Sequence, residues 1–427
     1  LKVFQIIIYN LILCLLIIIS MPIWLPLALI QKKRKQTFFK RLGFQSIKTQ
    51  SQQIKPIWIH ALSVGEVLSA IPIVKAIYKR WPHQDIIFSA STLTGYEMAQ
   101  KVQSCVREII YYPYDFLFSV KRMISIINPQ IFILVESDIW PNFLTILHQK
   151  KIPSVLVNAR LSKESFRGYR LLKWFMQPAL STFKGICVQS DEQAKRFLSF
   201  DIDPTKISVS GNVKFDQDQQ PLSLDEILQL KKDIDLPENI QVIIAGSTHE
   251  GEEKIFGDMY SNLKKSTPNL KMIIAPRDPG RAKEIQSLLQ KNGLSISLYS
   301  KKQFCTKDVL IIDQMGILGK LYAVCDIAFV GGSLVPEGGH NPLEPAAMSK
   351  PIVFGPDMHD FPEISKQLVS AGAAFQVQDS SELSTIFHAL LKDTQLSKRC
   401  GEKAFKIFSE NQGAVEKTLL FLQTQVF

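Results

Sequence analysis

The sequence predicts an α/β chain of two parallel-sheet domains behind an apolar N-terminal helix, and three observations predict it. Apolar runs rich in β-branched residues alternate with segments of helical period through residues 51–395, the pattern of βαβ units. That pattern stops at the polar stretch 216–225, which contains Pro221, and restarts near residue 242, so the sheets number two. Residues 3–30 are almost wholly apolar, and Lys32, Lys33, Arg34 and Lys35 follow at once.

Taken in order, the apolar segment exceeds the roughly 20 residues needed to cross a bilayer, and the cations after it favour a body on the cytoplasmic side. The length of the run and the lack of an A-x-A cleavage site argue against a signal peptide. Pro22 and Pro26 leave open a helix lying in one leaflet rather than spanning. Residues 1–50 are therefore expected to be a membrane-anchor helix and a basic linker. Residues 51–215 form a first Rossmann-like domain with strands near 57–60, 86–89, 109–112, 131–135, 154–157 and 185–189. Residues 216–395 form a second, with strands near 242–245, 272–275, 309–312, 327–330 and 352–354. Residues 396–427 are helix-period, interrupted by Gly401 and Gly413, and are expected to pack back on the first domain as a C-terminal helix. In such domains ligands meet the loops at the C-terminal ends of the strands.

Charge is divided unevenly. Residues 1–210 hold 27 Lys or Arg against 12 Asp or Glu and residues 211–427 hold 23 against 27, so +15 and −4 sum to the net +11. A basic first half calls for an anionic partner such as a membrane surface or a phosphorylated substrate. No nucleic-acid recognition motif is present, and much of the excess charge lies beside the apolar segment, so nucleic-acid binding is not supported. Cys14, Cys105, Cys187, Cys305, Cys325 and Cys400 are scattered without a C-x-x-C pair, and the histidines lack zinc spacing, so neither a disulfide framework nor a structural metal is expected.

The most informative motif is GGSLVPEGGHNPLEPAA at 331–347, a Gly-rich turn after an apolar strand, leading into a helix. Glycines there allow close backbone approach, and amides at a helix start suit a phosphate. Glu344 has no structural need in such a turn and can hold a ribose diol. At 63–66, SVGE has the spacing of a capping box, in which Glu66 only bonds back to the backbone. The alternative is a carboxylate at a strand end that takes a proton from a hydroxyl nucleophile. Ser247 and Glu250 repeat the spacing. Glu136 ends an apolar strand and must find a partner or a ligand, Arg160 on the next strand being one candidate; Asp138 is expected to be an N-cap. Lys214 is either a solvated charge or a counter-charge for a leaving phosphate, and Arg277 suits bidentate anion binding. Loops at Arg277, Gly316 and Asn341 are expected to converge on one nucleotide.

SVGE at 63–66, ESDIWPN at 136–142, NARLS at 158–162, GNVKFD at 211–216, APR at 275–277 and GGHNPLEPAA at 338–347 stand in this order along the chain. Together they resemble the 3-deoxy-D-manno-octulosonic acid (Kdo) transferases of Gram-negative bacteria over nearly the whole length. The resemblance implies the two-domain GT-B glycosyltransferase architecture, anchored on the cytoplasmic face of the inner membrane. It implies inverting, metal-independent transfer of Kdo from CMP-Kdo to a lipid A precursor, lipid IVA, with no cofactor. Glu66 then matches the general base, and Glu136 and Lys214 match residues that stabilise the transition state. Pro276, Arg277, Met315, Gly316, Ile317, Asn341, Pro342, Leu343 and Glu344 match the donor contacts. The chain departs from the common pattern at Asp278, where a basic residue is usual, and at Ile317, where an acid is usual. Two other readings stay open: a GT-B transferase using a different nucleotide sugar, and a non-catalytic nucleotide-binding scaffold at the membrane.

Overall fold

In the computed structural model, residues 3–30, 37–47, 55–136, 138–216, 221–237, 239–301 and 306–425 are described, the side chains of 23–30 and 425 excepted. The chain divides into two compact units, Leu1–Gln217 with Asn411–Phe427, and Asp218–Glu410.

The first unit is built on seven parallel strands: β1 Ile57–Ala61, β2 Ile86–Ala90, β3 Glu108–Tyr111, β4 Ile131–Val135, β5 Ser154–Ala159, β6 Gly185–Val188 and β7 Ile207–Val209. Their order is β3-β2-β1-β4-β5-β6-β7. The central strands are buried on both faces, which is why they read in the sequence as continuous apolar runs. Trp58, Phe132 and Phe143 pack edge-on or tilted at ring separations of 4.7–5.5 Å on one face, while Ile59, Ile133 and Val157 belong to a separate core on the other.

The second unit repeats the plan with β8 Gln241–Thr248, β9 Leu270–Pro276, β10 Ile296–Leu298, β11 Val309–Ile311, β12 Ile327–Val330, β13 Ile352–Phe354 and β14 Ala374–Gln376, in the order β10-β11-β9-β8-β12-β13-β14. In each sheet the chain reverses its direction of growth once, between β1 and β4 and between β8 and β12. These are the topological switch points at which α/β sheets bind ligands.

All eleven strands expected from the sequence are present, and β7, β10 and β14 are additional. Each of the three is a three-residue strand at a sheet edge, where one neighbour suffices and no long apolar run is required. The expected single helix over 396–427 is two. Thr394–Glu410 belongs to the second unit and Ala414–Gln425 to the first, with Gly413 between them at φ 90°. Asp216 fixes the restart by accepting the N–H groups of Gly413 at 2.6 Å and Val415 at 2.5 Å, so its carboxylate occupies the first turn of the last helix. Val3–Ile30 is one continuous helix.

Candidate active site

At the first switch point β1 ends at Ala61 and the chain enters the helix Val64–Arg80. Ser63 caps it, accepting Glu66 N–H at 3.4 Å. In a true capping box Glu66 would return to the amide of Ser63; instead its Oε2 accepts Leu62 N–H at 2.6 Å. The carboxylate is thus steadied mainly by the Leu62 amide, with a weaker contribution from the backbone of Ser63. Burial, and then the neighbouring Glu136 carboxylate, push the Glu66 carboxyl up to about 8.

Glu136 follows the last residue of β4, in the left-handed region at φ 69°, a conformation that costs a non-glycine residue roughly 1 kcal/mol. Tertiary partners hold it there. Its Oε1 accepts Ser69 Oγ at 3.1 Å, from the helix that carries Glu66, and its Oε2 lies 3.6 Å from Arg160 Nε. Arg160 therefore pairs with Glu136, as its position on the next strand suggested. Asn158, also left-handed at φ 52°, ends β5 and accepts Val213 N–H at 3.2 Å; its buried Nδ2 has no hydrogen-bond partner among the described residues. That bond secures the short turn Val213–Phe215, which carries Lys214 and packs against Val64–Arg80. Glu66 in the first turn of its helix, Glu136 just past β4 and Lys214 in the turn Val213–Phe215 thereby stand at one edge of one sheet.

One neighbour, His60, was not singled out by sequence, and another, Asp138, takes a different role from the one expected. His60 is fully buried in β1, stacked on Tyr112 at 3.7 Å, with Nδ1 3.0 Å from the carbonyl of Ser89. Nδ1 is equally close, at 3.0 Å, to Ser89 Oγ, and Nε2 faces Asp138 Oδ2 across 3.8 Å. Burial holds the His60 ring below its ordinary pKa against the pull of Asp138. Asp138 itself is not the expected N-cap: it accepts Trp140 Nε1 at 2.6 Å, and the first amides of the helix Pro141–Gln149 are instead capped by Asp115, at 3.0 Å from Asn142 N and 2.9 Å from Phe143 N. A cap supplied from another loop leaves no local spacing to read.

In the second unit the first part of the Gly-rich loop is bound by the chain itself. Gly332 N donates to Glu252 Oε2 at 2.8 Å, Ser333 N and Leu334 N donate to Oε1 at 3.1 Å each, and His249 N donates to Oε2 at 3.0 Å. A buried carboxylate of the chain itself fills this nest, and those four amides are committed; the amides at the start of Leu343–Ala347 are a separate set. Burial raises the Glu252 pKa while the four amides pull it down. The spacing of Ser247 and Glu250 is no capping box either: Ser247 is left-handed at φ 57°, and the helix Glu252–Ser266 starts after Gly251. Beside Glu252, buried Glu253 takes Arg281 at 2.8 and 3.4 Å and Thr248 Oγ1 at 3.0 Å. Asp278, the departure from the common motif, caps the turn Pro279–Arg281 by accepting Gly280 N at 2.9 Å, which gives it a structural use.

The expected donor contacts lie on the loops after β9, β11 and β12. Arg277 N donates to Thr248 O at 2.9 Å, and its guanidinium is close enough to His340 to disfavour a charge there. Burial first, then Arg277 and His249, lower His340 to about 4. His340 Nε2 and His249 Nε2 lie 2.8 Å apart, so one ring donates to the other. Asn341 Oδ1 accepts Leu343 N at 3.1 Å, and Leu343–Ala347 is a single short turn of helix, too short for an appreciable dipole. Glu344 lies near the buried Tyr322 hydroxyl, whose ring fills the space beside Gly246 on β8. Gly316 is left-handed at φ 91°, Ile317 precedes the helix Leu318–Leu321, and Met315 is 62 % exposed. Pro276 ends β9 and Pro342 precedes the turn at Leu343.

Comparison with known proteins identifies the family. Residues 36–217 match the family model for 3-deoxy-D-manno-octulosonic-acid transferase (kdotransferase). The chain is 33 % identical over 395 residues to the 3-deoxy-D-manno-octulosonic acid transferase of Haemophilus influenzae, covering 91 % of each. It is 31 % identical to that of Rickettsia bellii, covering 85 % of this chain and 86 % of the relative. Among solved structures, the UDP-GlcNAc 2-epimerase of Neisseria meningitidis bound to UDP-GlcNAc superposes with a TM-score of 0.57 at 16 % identity, over 86 % of this chain and all of that one, a likeness of GT-B-like fold alone. With two switch-point sites, the ordered motifs and relatives spanning nine-tenths of its length, the chain belongs to the Kdo transferases, glycosyltransferases of lipopolysaccharide biosynthesis.

Proposed function

We propose that the protein transfers Kdo from CMP-Kdo to a lipid A precursor, lipid IVA, at the cytoplasmic face of the inner membrane, by a single inverting displacement that needs no metal. The acceptor hydroxyl oxygen attacks the anomeric carbon of Kdo and its proton passes to Glu66. The bond from that carbon to the phosphate oxygen breaks, and CMP leaves with the electron pair. One observation carries the assignment: Glu66 stands at the switch point, in the first turn of the helix after β1, with its carboxyl raised to about 8, a basicity matched to accepting a proton near neutral pH.

The other residues follow by charge. Glu136, paired with Arg160 and Ser69, stabilises positive charge developing on the sugar, and Lys214 offsets charge on the leaving phosphate. In the second unit Arg277 is the phosphate partner and Glu344 the ribose partner, while Pro276, Met315, Gly316, Ile317, Asn341, Pro342 and Leu343 shape the donor pocket through backbone and packing.

The test is to incubate the full-length protein with CMP-Kdo and a tetraacylated lipid A precursor in the presence of EDTA and to weigh the lipid. Mass increments of Kdo are expected with the unaltered protein and none with Glu66→Gln. Increments that require added magnesium would remove the metal-free mechanism, and equal increments from Glu66→Gln would remove the base.

A further inference from the structure

The N-terminal helix carries polar side chains that neither a spanning segment nor the reaction calls for. Gln5 Nε2 donates to the carbonyl of Trp174 at 2.6 Å, and Tyr9 OH donates to Asp115 Oδ2 at 2.9 Å. Asn10 and Asn142 exchange a reciprocal pair of amide hydrogen bonds at 2.8 and 2.9 Å. The Tyr9 ring lies 5.9 Å from Phe175. Gln5, Tyr9 and Asn10 share one side of the helix, and Leu13 and Ile17 continue that stripe as half-buried residues. On the other side Phe4, Ile7, Leu11, Leu15 and Ile18 are 50–69 % exposed.

The chain is fixed to the same unit again after the helix. Arg41 Nε donates to Tyr112 O at 3.0 Å, Arg122 Nε donates to Gly43 O at 2.9 Å, and Gln45 bonds both the carbonyl and the amide of Tyr111, at 2.6 and 3.0 Å. A chain that crosses a bilayer once leaves its flanks on opposite sides. Here both flanks are held by one folded body, so the number of crossings is even. The helix has 28 residues, and two passes would give about 21 Å each against a hydrocarbon core of about 30 Å. The even number is therefore zero.

We propose that Val3–Ile30 lies in the plane of the membrane, its polar stripe clamped to its own domain and its apolar side immersed in one leaflet of an anionic bilayer. Charge identifies the occupant of that apolar side: residues 1–50 contain eight Lys or Arg and no Asp or Glu, which suits an anionic lipid surface. The clamp partner Asn142 closes the segment that carries Glu136 and Asp138, so the helix ties that loop to the lipid surface. The placement deepens the membrane reading of the proposed function and is independent of the reaction.

Cysteine labelling with a membrane-impermeant maleimide tests it, on full-length protein with Cys14, Cys105 and Cys305 replaced by serine, in inverted vesicles and in intact spheroplasts. Lys2→Cys reports the start of the helix, and Lys184→Cys, on an exposed turn, reports the body. Both are expected to label from the same side. Labelling of Lys2→Cys from the side opposite to Lys184→Cys means a spanning helix and overturns the proposal. Kdo transfer measured in the same vesicles separates the two claims. Same-side labelling without transfer removes the reaction and leaves the helix placement; transfer with opposite-side labelling does the reverse.

Discussion

Glu66 is under two opposed influences, burial beside Glu136 and the amides at its helix start, and the raised value of about 8 shows which prevails. Its proton is bound more tightly in the folded than in the unfolded state. The associated stability is therefore present in acid and lost as pH rises from the ordinary carboxylate range through about 8. Glu66→Gln is expected to lower kcat by about 10²–10⁴ with little change in CMP affinity, and to make the protein more stable than the unaltered chain above pH 8, the difference vanishing near pH 4. Activity of the unaltered protein is expected to rise with pH through about 8; a flat profile from 6 to 9 would exclude Glu66 as the group titrated. Glu252 illustrates the other fate of a buried carboxylate. Glu252→Ala leaves the amides of Gly332, Ser333 and Leu334 without their acceptor, at about 3 kcal/mol or more. Thermal unfolding of the second unit is expected to fall by on the order of 10 °C, with CMP affinity weakened because the loop loses its shape.

Among elements, the ends of β4, β5 and β8 behave alike: Glu136, Asn158 and Ser247 each turn left-handed at the edge where ligands are expected. A strand that ended in relaxed backbone would aim these loops elsewhere, so packing holds the strain in place. The last helix is positioned more simply. Asp216 spans the two amides of Gly413 and Val415, and Asp216→Ala is expected to destabilise the first unit by about 1–2 kcal/mol while leaving donor affinity unchanged. Amide exchange over Ala414–Gln425 checks it, since faster exchange confined to that helix is the expected result.

For the whole molecule, each unit has its own sheet and its own hydrophobic cores, so each is a candidate unfolding unit. Calorimetry is expected to show two transitions. CMP at one hundred times its Kd should raise the one belonging to Asp218–Glu410 by an amount equivalent to about 2.7 kcal/mol, and Glu344→Ala should shrink that shift. A shift of the other transition alone would move nucleotide binding to the first unit.

The strands in the middle of both sheets were legible because burial on two faces demands long apolar runs, and that demand is written residue by residue. The edge strands β7, β10 and β14 were not, since an edge asks little of its side chains. At the site, the positions of Glu66, Glu136 and Arg160 followed from strand ends and spacing, and the pairing of the last two held. Asp138 is not the helix cap the spacing suggested, because the cap comes from Asp115 on another loop, and Glu252, which takes the amides of Gly332, Ser333 and Leu334, left no local spacing to read. By itself the sequence determined the alternation of strands and helices, the break between units and the apolar helix, all of which follow from local period and composition. Tertiary structure alone decided which amides a carboxylate satisfies, which carboxyl is buried beside another, and which side of the first helix packs on its own domain, because those depend on groups that meet only when distant segments fold together.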